Sequence, residues 1–271
     1  MYFNNISQLA LFLKFIPMSP YLDIVHYILM CCSVKDDTMN KSKYENFSKR
    51  QPFSSWMASM IMCFSSSILC NIILGNALVT PIKTTTPLLY ATIIWYVINY
   101  MPFNFIHRIL SFKLMKMVLY IAKELHRMRN ILIGISVAFS QYPDAWLIAL
   151  LIGTLKGCGS CIFVNVQRFV RGIIVAHQNE FLQPTFTSKS SALLCGLLLL
   201  QKYEWIKIDS NVLFVVLFSI SLYLRIFIIL FDVVDPIRPI EAIFGFFAFN
   251  GWQLIGNNAH ENNKPRKDKE D

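Results

Sequence analysis

Lys123, Glu124, His126, Arg127, Arg129 and Asn130 lie within one short run, inside the stretch Phe112–Ser140 that is apolar at both ends. Two further sets of residues interrupt apolar runs in the same way: Ser65-Ser66-Ser67, and Lys156-Gly157-Cys158-Gly159-Ser160. Cations gathered in this manner can hold an anion, can pair into a salt-bridged helix face, or can line a polar path through an apolar body. Catalysis is the poorest fit. No nucleophile stands at helical spacing from a base, no H-E-x-x-H and no Gly-rich phosphate loop is present, and five scattered histidines do not make a metal site. Cys158 and Cys161 form a C-x-x-C, but within an apolar run and without the strand–helix context of a redox motif.

The element that must position the first set is a helix over 112–140. At 1.5 Å of rise per residue, Lys123 stands roughly 16 Å from Phe112. In a bilayer with a hydrocarbon core of about 30 Å that is close to the midplane. One cation there costs about 2.5–3.5 kcal/mol on insertion scales, so it is retained only beside a polar cavity or a partner charge. Lys123 and Arg127 are four apart and share a face that Asn130 continues, while Glu124 and Arg129 are expected to point elsewhere. The competing arrangement, a soluble helix with a salt-bridged face, is decided by the rest of the chain.

That chain has 271 residues, 55% of them hydrophobic and only 15% charged, with a mean hydropathy of +0.48. Soluble domains carry about 25% charged residues, so an all-α integral membrane protein is indicated. The net charge of +9 is dispersed rather than collected in one block, which argues against nucleic-acid binding. The seven cysteines are odd in number and mostly inside apolar runs, with no disulfide framework.

Seven spans are expected: Tyr21–Val34, Ser54–Leu74, Pro87–Pro102, Phe112–Ser140, Ala145–Val170, Ser190–Leu200 extended by Phe186–Lys189, and Val212–Phe231. Pro17 and Pro20 imply a bent entry to the first, and Leu9–Phe15 is too short and too interrupted by Lys14 for a signal peptide. Ile240–Trp252 is expected at the interface or against the bundle. Residues 1–255 form the transmembrane domain, and 256–271 a disordered charged cytosolic tail. Counting the Lys and Arg at span ends with the adjoining loops, sixteen fall on one side and four on the other, with five deeper inside spans. The positive-inside rule then places the N-terminus in the lumen and the C-terminus in the cytosol. Asn5-Ile6-Ser7 is then a lumenal sequon lying close to the membrane.

The second and fifth spans are each the middle member of three, and each is interrupted at mid-length by small residues. Two triplets in opposite orientation make an inverted 3+3 repeat with a seventh helix added, and matched interruptions point to a pathway at the repeat interface. Ser65, Ser66, Gly157 and Gly159 are therefore read as pore or kink residues, giving kinked second and fifth helices. The alternative for the glycines is that they only let two helices approach. Lys156 is expected to enter the pathway at the kink, against snorkelling toward an interface.

Arg50-Gln51-Pro52 with Ser55-Trp56 and Leu74-Gly75, Ile94-Trp95-Tyr96 through Pro102, Lys123-Glu124-Leu125 with Arg127, and Lys156-Gly157-Cys158-Gly159 followed by Asn165 and Arg171-Gly172 occur in an order and spacing that resembles the trimeric intracellular cation channels, the TRIC family. Lys189 and Gln201 fit the sixth span of that pattern. The resemblance implies a homotrimer of the endoplasmic or sarcoplasmic reticulum membrane or the nuclear envelope. It implies one pore per subunit, conducting monovalent cations, chiefly potassium, as counter-current to calcium release. It needs no cofactor and implies a bound phosphoinositide. By the same resemblance Lys123 and Arg127 hold the headgroup, and a lipid phosphate would neutralise two cations beside a cation path. Pairing with backbone carbonyls or with an acid such as Asp23 is the other reading of the pair.

Several positions depart from the family pattern. Its glycine pair is Ser65-Ser66 here, two of its acids are Asn104 and Gln167, its fifth-span Trp is Thr154, and its sixth-span Pro is Thr187. The lost acids would weaken cation selection. A carrier, a seven-helix receptor without its usual signatures, and a non-conducting lipid-binding family member are the competing functions.

Overall fold

The computed structural model describes residues 2–41, 47–172, 184–231, 233 and 235–238. Among these, the regular structure is helical: α1 (Tyr2–Phe15), α2 (Asp23–Lys41), α3 (Phe47–Arg50), α4 (Pro52–Leu74), α5 (Thr85–Tyr100), α6 (Phe105–Ser111), α7 (Lys113–Gln141), α8 (Trp146–Ile162), α9 (Val164–Val170), α10 (Phe186–Lys202) and α11 (Ser210–Phe231), with short π and 3₁₀ turns between some of them. The chain divides into two units, Met1–Asp232 and Val233–Asp271. In the second, the Ile237 amide donates to the Asp235 carboxylate at 3.0 Å. The expectations for Ile240–Trp252 and for the 256–271 tail lie outside the described residues.

Each expected span is occupied by a helix. α4, the run Trp146–Val170 and α11 are long and apolar enough to cross a membrane, and a fourth candidate is the bent pair Ser7–Phe15 and Met18–Thr38, turned by 82°. α5 and α10 are only 16 and 17 residues long, and α7 carries the charge cluster, so the count of seven rests on the sequence pattern. The bend falls at Pro17, whose extended backbone (φ −62°, ψ 131°) separates α1 from the π turn that leads into α2. The sequence pattern did not anticipate α1 as a helix. It packs along α11, with Ala10 buried and the Lys14 ammonium donating to Asn211 at 2.7 Å.

Local signals set the helix ends. α4 begins on Pro52, whose missing N–H is no loss in a first turn. It ends at Gly75 in the left-handed region (φ +69°), where the amides of Gly75 and Asn76 return to the carbonyls of Ile72 and Asn71.

Two apolar cores follow the two triplets. Tyr27, Cys31, Met60, Phe64, Trp95 and Ile98 join α2, α4 and α5. Met128, Ile131, Ile152, Cys195 and Phe214 join α7, α8, α10 and α11. The middle helices of the triplets, α4 and α8, pack directly on each other.

The expected kinks need correction. α4 is helical without a break through Ser65 and Ser66, and Ser65 Oγ donates back to the Met62 carbonyl at 2.9 Å. α8 continues through Gly157 and Gly159 to Ile162, and the helix is interrupted at Phe163 instead. The glycines serve close approach. A Cβ on Gly159 would stand 2.5 Å from Ser66 Cα, and one on Gly157 would stand 2.8 Å from Ile131 Cγ1. The close helix packing that a missing side chain permits offsets the weak helix propensity of glycine, so the helix has no reason to break there.

Candidate functional site

α7 carries its polar residues to two different neighbourhoods. On one, Glu124 is fully buried and accepts Arg127 Nε at 2.9 Å, Arg127 Nη2 at 2.5 Å, Ser221 Oγ at 2.8 Å and Arg225 Nε at 2.7 Å. Arg127 also donates to Ser190 Oγ (2.6 Å), Ser191 Oγ (3.4 Å), the Thr187 carbonyl (3.3 Å) and Ser221 Oγ (2.5 Å). All three guanidinium nitrogens are thus engaged. Arg225 adds a bond to Thr187 Oγ1 at 3.0 Å and lies over the Tyr120 and Phe186 rings. This clamp joins α7, α10 and α11. Glu124 was expected to point away from Arg127, but the two are three apart and form an ion pair.

On the other side, Lys123 turns toward α2, where its ammonium contacts His26 Nδ1. His26 Nε2 lies 3.0 Å from the Cys63 carbonyl. A carbonyl only accepts, so Nε2 carries the proton and Nδ1 is left as the acceptor for Lys123. His26 stacks on His126 with ring centroids 4.8 Å apart. His126 donates through Nε2 to Asp23 Oδ1 at 3.3 Å, and Asn130 donates to His126 Nδ1 at 3.1 Å. Arg129 reaches the Ile16 carbonyl at the α1–α2 bend.

These residues face α4 and α8 across one cavity. Its walls are His26 from α2, Ser65 and Ser66 from α4, and Lys123, His126 and Asn130 from α7. α8 contributes Lys156, Gly157, Gly159 and Ser160. The space between them is about 10 Å³, room for roughly one water molecule. Lys156 Nζ donates to Ser67 Oγ at 2.9 Å, which leaves most of its donor capacity facing the cavity.

Six of the seven sequence-derived site residues, Lys123, Lys156, Gly157, Gly159, Ser65 and Ser66, therefore meet around one space. Arg127 does not line it. The sequence reading missed His26 and His126 as lining residues. The available signal was an imidazole and a carboxylate, His26 and Asp23, inside an apolar span, where ionisable side chains mark function by default.

The two lost acids lie elsewhere. Asn104, in the left-handed region (φ +52°), accepts Lys35 Nζ at 2.9 Å, and Lys35 also donates to the Ile98 carbonyl. Gln167 donates to Asp37 at 3.4 Å within a group where Arg168 and Arg171 grip the same carboxylate. Its Oε1 is buried without a partner among the described residues. Neither residue is among those lining the cavity.

Comparison with known proteins places this arrangement. A family profile described as TRIC channel matches residues 41–232. The trimeric intracellular cation channel type 1B.1 of Caenorhabditis elegans is 34% identical over 240 residues, covering 88% of this chain and 81% of that protein. A solved trimeric intracellular cation channel from C. elegans with bound Ca²⁺ superposes with a TM-score of 0.72 at 33% identity, over 80% of this chain and 94% of that one. A structure described as explaining the activity of TRIC counter-ion channels in calcium release gives a TM-score of 0.76 at 26% identity, over 84% and 100% of the two chains.

Proposed function

The chain belongs to the TRIC channel family, a family of channels and not of enzymes, and from that premise we propose that it conducts monovalent cations, chiefly potassium, across the endoplasmic or sarcoplasmic reticulum membrane. In this reading three copies assemble, each with its own path, and the current balances charge during calcium release. The N-terminus is lumenal and the C-terminus cytosolic in this reading, which the excess of Lys and Arg on one side supports. The two triplets are an inverted repeat, with α11 added.

The observation that carries the proposal is the polar cavity between the two middle helices. Serines of α4, the lysine and glycines of α8, and Lys123 of α7 converge inside an apolar bundle, and all lie within the 41–232 family match. Polar side chains buried at such depth belong to a pathway or to a bound group.

A phosphoinositide headgroup at Lys123 and Arg127 is the second part of the proposal. The single negative charge of Glu124 faces two guanidiniums, and Lys123 has no carboxylate partner among the described residues. An excess of cations therefore remains on α7, and a lipid phosphate supplies the missing charge. With its nitrogens already engaged, Arg127 meets a phosphate by exchanging serine contacts for it, whereas Lys123 has donors to spare.

Purified protein in planar bilayers under asymmetric KCl, with and without added phosphoinositide, tests both parts. Unitary cation currents that require the lipid are expected. A carrier gives no unitary currents, and currents indifferent to lipid remove the headgroup from the proposal. Native mass spectrometry of the same preparation should show a trimer retaining phosphoinositide.

A further inference from the structure

Lys123 and Lys156 would repel cations from the cavity, and beside the lipid phosphate proposed above, a protein carboxylate within reach would draw a cation in. On α2, α4, α7 and α8, the helices that line it, the acids are Asp23, Asp36, Asp37 and Glu124. Glu124 is consumed by Arg127, Arg225 and Ser221 and is closed to solvent. Asp37 is gripped by Arg168 and Arg171, and Asp36 is paired with His107 at 2.8 Å. Asp23 differs from all three. The one hydrogen bond of its side chain among the described residues is the 3.3 Å contact from His126, and that side chain is 25% exposed.

Its position fits the requirement. Asp23 opens α2 immediately after the bend, three residues before His26, so the two share a helix face. The one side-chain hydrogen-bond partner of Asp23 among the described residues, His126, is itself a wall of the cavity. The carboxylate therefore stands one hydrogen bond away from the cavity, with its second oxygen uncommitted. Carboxylates at the mouth of a path are the ordinary means by which cation channels attract their ion and reject anions.

We propose that Asp23 is the acid that selects cations at this end of the cavity, and that His126 is the positioning residue that holds it there. The neutral residues Asn104 and Gln167 then leave selection intact, because the charge that performs it is on α2. This inference rests on the channel reading given above.

Bilayer recordings under asymmetric KCl test it, with trimer content of each variant verified by native mass spectrometry. Asp23→Asn should keep unitary currents and lower the potassium-over-chloride permeability ratio by about tenfold, the effect of removing one unit charge at close range in a poorly screened site. Asp23→Glu should restore most of the ratio. His126→Gln, which keeps the carboxylate but loosens it, should lower the ratio by a smaller factor. Should Asp23→Asn fail to assemble, the His126→Gln trimer decides: a wild-type ratio in it overturns the proposal. A wild-type ratio in Asp23→Asn overturns the role of Asp23 alone, with the channel reading intact. Absence of unitary currents from the wild-type trimer overturns both.

Discussion

Glu124 and Lys123 are neighbours on α7, yet the surroundings they enter are opposite in kind. Around Glu124 almost every donor has an acceptor: two arginines and three serines from α7, α10 and α11 close a dry network. Around Lys123 the two lysines, each with one side-chain hydrogen bond among the described residues, keep donors to spare and border a space the size of a water molecule. A saturated buried network holds helices in register, and in the reading proposed above it admits a lipid phosphate only by giving up serine contacts of Arg127. One with spare donors beside a void can take up a further polar group. The same helix thus serves as a structural post on one side and as a wall of the candidate pathway on the other.

The sharpest way to break this contrast is Glu124→Gln. It leaves two guanidiniums without a counter-charge, and breaking a buried pair in this way costs about 3–5 kcal/mol. Loss of trimer on native mass spectrometry and a large fall in thermal stability in detergent are expected. Gly159→Ala comes next. The added Cβ meets backbone, Ser66 Cα, and so cannot be relieved by a rotamer change. Overpacking of this sort costs about 1–3 kcal/mol, and a lowered melting temperature together with altered currents should result.

On the cavity side the effects should appear in currents rather than in stability. Lys156→Gln should alter conductance or voltage dependence while the trimer survives, since the ammonium's one hydrogen bond among the described residues, to Ser67, is a single polar contact of a kind an amide can also donate. Unchanged currents would move Lys156 to the structural side of the comparison. The smallest effect is expected of Asn104→Asp, which returns an acid next to Lys35. A partly exposed pair of this type is worth about 0–1 kcal/mol, and since Asn104 does not line the cavity, ion selectivity should remain as in the wild type.

Much of this was legible from the residue pattern. Long apolar runs located six of the seven expected helices to within about two residues at each end, while α2 continues past Val34 to Lys41 through charged residues that the apolar pattern could not follow. The three polar interruptions of those runs, at Ser65, Lys123 and Lys156, are the places that meet around the cavity. Expulsion of polar groups from lipid is strong enough that the exceptions identify themselves. α1 escaped notice because Lys14 and a 14-residue length resemble neither a span nor a loop, and only its packing against α11 gives it a place.

Sequence alone therefore determined that this is a helical membrane protein of a channel family, and which residues stand at its polar centre. It left open which of those residues face one another. On a helical wheel Arg127 lies about 40° from Lys123 and about 60° from Glu124, a difference too small to choose between them. The choice was made by Ser190, Ser191, Ser221 and Arg225, which come from helices distant in sequence and surround Arg127 with acceptors and Glu124 with donors. The glycines of α8 obeyed the same logic. Composition permitted either a kink or a close approach, and the backbone of Ser66 lying against Gly159 decided for approach. Where two conformations of one helix are nearly equal in local energy, the partner supplied by the fold decides, because burial removes the water that would otherwise satisfy either.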